Sequence, residues 1–195
     1  MPHPVTGAAD FEALYRRDSD PFRVATSWYE RRKEQILLAG LTRARYRLAW
    51  DCATGTGQLA HRLAACCDDV LATDASPTAV ELASALTAGQ PRVRCGVSAL
   101  PEIPAECQAA DLTIVAEVLY YLPQRARAAA IGALVDQSGE LVSVHWRHHP
   151  HDGHVSGTEV TDELGVALVE HGWGAALRHD DVDFVLAAWT REAQA

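Results

Sequence analysis

From about residue 47 onward, short apolar runs alternate with stretches whose apolar residues recur at helical spacing, the pattern of successive βα units around a mostly parallel sheet. Residues 48–52 read as a first strand, residues 57–65 as a helix with Leu59, Ala60, Leu63 and Ala64 on one face, and residues 70–73 as a second strand. Ser76-Pro77 opens a second helix that continues over residues 80–87. The serine hydroxyl can accept from a first-turn amide, and proline removes an amide that would have no partner there. After the turn Gly89-Gln90-Pro91, residues 92–97 form a third strand, and the link through Pro101 and Pro104 is too interrupted for a full helix. Residues 112–116 are almost uninterruptedly apolar, as a strand covered on both faces must be, and are expected at the centre of the sheet.

Pro123 begins an alanine-rich helix ending near Val135, Ser138-Gly139 turns the chain, and residues 141–144 make a fifth strand followed by a histidine-rich loop. Val160, Leu164 and Leu168 recur every fourth position and predict a last helix over residues 157–172, with Gly172 as its left-handed stop. Residues 175–178 and 184–189, joined by the acidic turn 179–183, predict an antiparallel pair at one edge. Ahead of the first strand, the apolar and basic stretch 28–38 is expected to pack as a helix over the ligand edge of the sheet. The expected architecture is one α/β domain over residues 1–195, with residues 1–46 a helical cap and 47–195 the core.

Composition narrows the partners. A formal charge of −9 over 195 residues argues against nucleic acid or an anionic membrane surface, both of which call for a cationic face, and favours a small-molecule ligand. No apolar run approaches the ~20 residues of a membrane span, and Met1-Pro2-His3-Pro4-Val5 lacks the basic-then-apolar order of a signal peptide, so a cytoplasmic location is expected. The five cysteines, Cys52, Cys66, Cys67, Cys95 and Cys107, contain no Cys-x-x-Cys and read as reduced, small hydrophobic residues.

The informative segment is Asp51-Cys52-Ala53-Thr54-Gly55-Thr56-Gly57-Gln58-Leu59-Ala60, between a strand and a helix. Glycines there allow a tight turn and let a ligand approach the backbone. Asp74, 23 positions after Asp51 at the end of the second strand, can accept both hydroxyl hydrogens of a ribose, so the pair indicates a nucleoside-containing ligand. Gly55-x-Gly57-x-x-Ala60 also fits a dinucleotide pattern, and chemistry has to separate the two. A carboxylate at Asp51 would repel a pyrophosphate, whereas S-adenosylmethionine has no phosphate and carries an ammonium and a sulfonium.

Asp51-x-Ala53-x-Gly55-x-Gly57 followed by Asp74 resembles the motifs of class I S-adenosylmethionine-dependent methyltransferases over about residues 48–144, with Ala53 standing where that family has its first glycine. The resemblance implies a Rossmann-like fold with a seven-stranded, mostly parallel sheet and an antiparallel C-terminal edge hairpin. A resemblance over most of the chain, to the NodS-like N-methyltransferases of nodulation-factor synthesis, rests on Tyr15-Arg16-x-Asp18-x-Asp20-Pro21-Phe22, Thr26-Ser27-Trp28-Tyr29-Glu30-x-Arg32-Lys33, Glu117-Val118-Leu119-Tyr120-Tyr121-Leu122 and Val144-His145-Trp146-Arg147. It implies methylation of an amine on a sugar, such as the deacetylated end of a chitin oligosaccharide, and places Tyr29 and Arg32 over the cofactor, with Arg32 facing its carboxylate.

Ligands of open α/β sheets sit beyond the carboxyl ends of the strands. On that rule Asp74 and the adjoining Ala75 border the ribose, the backbone at Ser98 and Ala99 borders adenine, and Glu117 lies near the methionine part or the transferred methyl. The wider superfamily often has an acid where this chain has Ser98. Glu117 and Tyr120 are the expected wall of the active site, Tyr121 is expected in the core, and His145 is the candidate base. Methyl transfer to a neutral amine needs alignment of nitrogen, methyl and sulfur but no covalent nucleophile. His145, His148, His149, His151 and His154 lack the converging geometry of a zinc site, so the loop reads as part of the acceptor pocket, with Asp152 favouring a cation. An O-methyltransferase, a noncatalytic S-adenosylmethionine-binding protein and an NAD(P)-dependent reductase are the competing readings.

Overall fold

The computed structural model describes residues 8–191; the Met1–Val5 start lies outside them. Seven strands form one sheet: β1 (Tyr46–Cys52), β2 (Cys67–Asp74), β3 (Val93–Val97), β4 (Leu112–Ala116), β5 (Gly139–Trp146), β6 (Gly174–Asp180) and β7 (Phe184–Arg191). Their spatial order is β3-β2-β1-β4-β5-β7-β6, with β1 to β5 parallel, so β4 is the middle strand as its apolar run predicts. The two C-terminal strands form the expected antiparallel pair at one edge, with β6 outermost. β7 lies between β5 and β6, antiparallel to both, and pairs with β5 from Gly139 opposite Arg191 to Trp146 opposite Phe184.

Helices α1 (Ala8–Arg17), α2 (Trp28–Ala39), α3 (Gln58–Leu63), α4 (Pro77–Leu86), α5 (Gln124–Leu134) and α6 (Gly157–Glu170) complete the structure, with single 3₁₀ segments at Ala105–Ala109 and Leu119–Tyr121. Both sheet faces are covered, which is why β4 is buried along almost its whole length. Trp50, Val115, Leu141 and Leu164 belong to the core on one face, and Leu37, Ala49, Ile114 and Val142 to the core on the other. Ser76 caps α4 by accepting from the Ala79 amide at 3.1 Å, with Pro77 next to it as the sequence predicts. Ser156 and Glu159 close a capping box on α6.

Helix α1 is the element that the periodicity reading did not separate from the cap. It is docked by Glu12, which accepts from the Ser76 hydroxyl at 2.6 Å, the Thr78 hydroxyl at 2.8 Å and the Thr78 amide at 3.1 Å. These donors, Ser76 first, hold the Glu12 carboxyl down at about 2. No helix among the described residues is long and apolar enough to cross a membrane.

Candidate functional site

At the carboxyl ends of β1, β2 and β4, beneath α1 and α2, lies a cavity of about 580 Å³. Its floor on the β1 side is the loop after Cys52, where Ala53, Gly55 and Gly57 all have positive φ, at 67°, 56° and 83°. Two of these are glycine for packing as well as conformation. A Cβ on Gly55 would come 2.9 Å from the Tyr15 hydroxyl, and one on Gly57 would come 2.9 Å from the backbone of Ala83 in α4. Ala53 takes the left-handed conformation although it carries a side chain. Gly57 contributes the joint between α3 and α4; Ala53 and Gly55 line the cavity.

Two acids anchor this half. Asp51 is 1% exposed, accepts from the Thr54 hydroxyl at 2.6 Å, and has its carboxyl pushed up to about 6, chiefly by burial, with the charges of Asp74 and Glu34 adding to it. Asp74 accepts from the amides of Gly55 and Ser76, each at 2.9 Å, which leaves lone pairs for further donors. Burial raises its carboxyl against those amides. Ala75, Ser98, Ala99 and Leu100 continue the same wall, and the Ser98 amide bonds the Asp74 carbonyl at 3.0 Å.

The opposite wall comes from α2 and from the segment after β4. Glu117 has φ 52°, a strained value for a residue with a side chain, and its carboxylate accepts from Lys33 Nζ at 2.5 Å, from the Trp146 amide at 2.8 Å and from the Tyr120 hydroxyl. Burial pushes the Glu117 carboxyl up, but the Lys33 and His145 charges and the Lys33 and Tyr120 hydrogen bonds outweigh it, so it sits below the usual range. Lys33, in turn, is held above its usual value by Glu117 and Glu30 in spite of burial.

Three sequence expectations change here. Arg32 does not reach the cavity: it pairs with Asp181 at 2.5 Å and its guanidinium lies 5.7 Å from the Trp28 ring and 5.6 Å from that of Phe184. The helix explains it, because residues four apart align better than residues three apart, so Lys33 and not Arg32 stacks on Tyr29, 4.9 Å from its ring. His145 is fully buried with Nδ1 3.0 Å from Ser143 Oγ, its ring edge-on to Tyr120 at 5.3 Å, and burial holds it down near 4. It stands behind the wall and is not placed to take a proton from an acceptor. Tyr121 is not core; it lines the cavity between Phe11, at 4.9 Å between ring centres, and Tyr120, at 4.6 Å.

Lys33, Glu30, Tyr15 and Phe22 also line the cavity; the sequence words that resemble the NodS-like family contain all four but assign none of them a role in the site. For Lys33 the available signal was the fourth-position spacing from Tyr29, masked by the run Arg31-Arg32-Lys33, which reads as a solvated face. No group of three or more metal-ligating side chains forms among the described residues.

The cavity is made for a polar ligand of a particular sign. Tyr29 Oη, Glu34 Oε1 and Thr56 Oγ1 are buried without a partner, and all three residues line it. Seven carboxylates, Asp20, Glu30, Glu34, Asp51, Asp74, Glu102 and Glu117, face it against one lysine and no arginine. Such a surface repels a pyrophosphate and suits a ligand carrying a sulfonium and an ammonium, which removes the nicotinamide-dependent reading. Fold and site together define a class I S-adenosylmethionine-dependent methyltransferase.

Residues 49–137 match the family model of a methyltransferase domain. A crystal structure of a Pseudomonas syringae protein assigned as a methyltransferase shares 33% identity, covering 85% of this chain and 100% of that one, with a TM-score of 0.72. The N-methyltransferase NodS from Bradyrhizobium japonicum WM9, in complex with S-adenosyl-L-homocysteine, shares 24% identity over 94% of this chain and 98% of that one, with a TM-score of 0.81. Among curated proteins none matches. The chain belongs to the S-adenosylmethionine-dependent methyltransferases.

Proposed function

We propose that this methyltransferase acts on the nitrogen of an amino sugar or other small amine, ahead of a hydroxyl, by direct displacement. The observation that carries this reading is the acid-lined wall facing the glycine loop, with Glu117 kept ionised at its centre. When bound, the cofactor supplies an electrophilic methyl group on a sulfonium. Positive charge then passes to the acceptor nitrogen, and carboxylates beside that nitrogen stabilise the charge it gains. A hydroxyl acceptor would have to lose its proton to a base, and His145 stands behind Tyr120, out of reach.

In this reading Asp74 receives the ribose hydroxyls, Ala75, Ser98 and Ala99 border adenine, and Asp51, Ala53 and Gly55 border the methionine part. Tyr29 covers the cofactor with its unpartnered hydroxyl. Glu117 and Tyr120 flank the reacting nitrogen, and Phe11, Phe22 and Tyr121 supply flat apolar surface for the rest of the acceptor. The similarity to NodS, an N-methyltransferase, supports nitrogen as the methylated atom. The cap and core form a single domain, and the free cysteines suit a reduced, cytoplasmic location.

The test is incubation with S-adenosylmethionine and four acceptors, glucosamine, N-acetylglucosamine, benzylamine and benzyl alcohol, followed by mass spectrometry. A single-methyl gain on the two free amines and none on the amide or the alcohol is expected. Methylation of the alcohol alone would overturn the reading in favour of O-methylation.

A further inference from the structure

The wall that carries Glu117 is organised around one lysine. Lys33 Nζ lies 2.5 Å from Glu117 Oε1 and 2.9 Å from Glu30 Oε2, with its side chain 8% exposed, and all three residues line the cavity. An ammonium so deeply placed is costly unless its donors are matched, and here both partners are carboxylates. On Glu117, Oε1 takes Lys33, while Oε2 takes the Tyr120 hydroxyl and the Trp146 amide. A carboxylate offers about four acceptor sites, so one stays open, on Oε1 beside Lys33. The Glu117 side chain retains 28% exposure, which is where a ligand in the cavity can meet it. Two carboxylates and one ammonium leave a single negative charge for a ligand to balance.

We propose that Lys33 is a positioning residue for methyl transfer: by bridging Glu30 and Glu117 it fixes the Glu117 carboxylate with one acceptor site open for an N–H of the acceptor amine. This rests on the amine reading above. The groups facing Glu117 are Tyr29, Glu30 and Lys33 from α2, Tyr120 and Tyr121 from the turn after β4, and His145 from β5. Among them Lys33 alone carries a full positive charge at neutral pH, because burial holds His145 near 4. Lys33 is therefore what keeps a deeply set Glu117 charged, and the strained backbone at Glu117 is held for the same placement.

Lys33→Met and Lys33→Arg are compared with wild type, using glucosamine as acceptor and calorimetric binding of S-adenosylhomocysteine as control. The amine's own ionisation is common to all three enzymes and cancels in the ratio of kcat/KM between variant and wild type. That ratio is expected to fall for Lys33→Met as pH drops from 8 to 5, because the Glu117 carboxyl loses its cation and moves up by about 1–3 pH units. Lys33→Arg restores most of the low-pH activity, and S-adenosylhomocysteine affinity stays within about threefold in both.

A flat ratio overturns the inference, and so does a Lys33→Met loss of S-adenosylhomocysteine affinity beyond about tenfold, which would make Lys33 a cofactor ligand. Should Lys33→Met fail to fold, Glu30→Gln removes the other anchor of the lysine. It is expected to raise the glucosamine KM about threefold or more without changing product affinity, and an unchanged KM overturns the inference. A wild type that methylates no amine overturns the amine reading and this inference together; a wild type that does, matched by Lys33→Met, overturns this inference alone.

Discussion

The two halves of the cavity are held by different means. On the β1–β2 side the polar contacts run from one carboxylate to main-chain amides of the two adjoining strand-end loops, as with Asp74 to Gly55, 19 residues before it, and to Ser76, two after it, or between near neighbours, as with Thr54 and Asp51. On the cap side they run between side chains far apart in sequence, with Lys33 bonded to Glu117, 84 residues away, and Arg32 to Asp181, 149 residues away. A turn with positive φ and an amide at its tip forms wherever that short sequence is paired with strands β1 and β2. An ion pair across elements forms only after the cap has docked. The first arrangement suits recognition of an invariant cofactor, and the second allows the acceptor wall to differ among proteins of one fold.

The contrast can be broken most forcefully at Asp51. Its carboxyl, ordinarily near 3.8, is pushed up to about 6 by burial, so the folded state binds this proton more tightly than the unfolded chain does. Stability from this group is present below pH 4 and is lost as pH rises through 6, by about 3 kcal/mol at most. Asp51→Asn should therefore be the more stable protein at pH 7.5, with the difference shrinking toward pH 4, when urea midpoints are compared at both values. A difference independent of pH would remove the burial argument.

Next in size is Asp74→Ala, expected to weaken S-adenosylhomocysteine binding by about 2 kcal/mol, roughly thirtyfold, as read by calorimetry. Unchanged affinity would detach the ribose from this carboxylate. Glu117→Gln should lower kcat about tenfold while product affinity moves less than about threefold, which separates the acceptor wall from the cofactor half. Equal losses in both would join the halves. Smallest is Arg32→Met, expected to leave cofactor affinity within about twofold because its guanidinium is engaged by Asp181 and two rings away from the cavity.

The same contrast governs what could be read from the chain. The middle strand, the Ser76-Pro77 helix start, the glycine loop and Asp74 are local in sequence, and each lies where its pattern places it. Helix α1 falls within the expected helical cap, but its bounds are not legible because Phe11, Leu14 and Tyr15 offer only a single turn of apolar spacing, and its position depends on Glu12 reaching α4. The insertion of β7 between β5 and β6 is a pairing choice that alternation along one strand does not encode. The role of Lys33 is not legible in the run Arg31-Arg32-Lys33, because burial of an ammonium is visible only with its two carboxylates in place. His145 looked like a base because a strand end beside a cavity can point either way, and here it points behind Tyr120.

The most direct test of the account is calorimetric titration of the wild-type protein with S-adenosylhomocysteine, run beside NAD. A cavity with seven carboxylates and one lysine predicts saturable one-to-one binding of the first and no heat from the second. Saturable binding of NAD, or silence with both ligands, would contradict it.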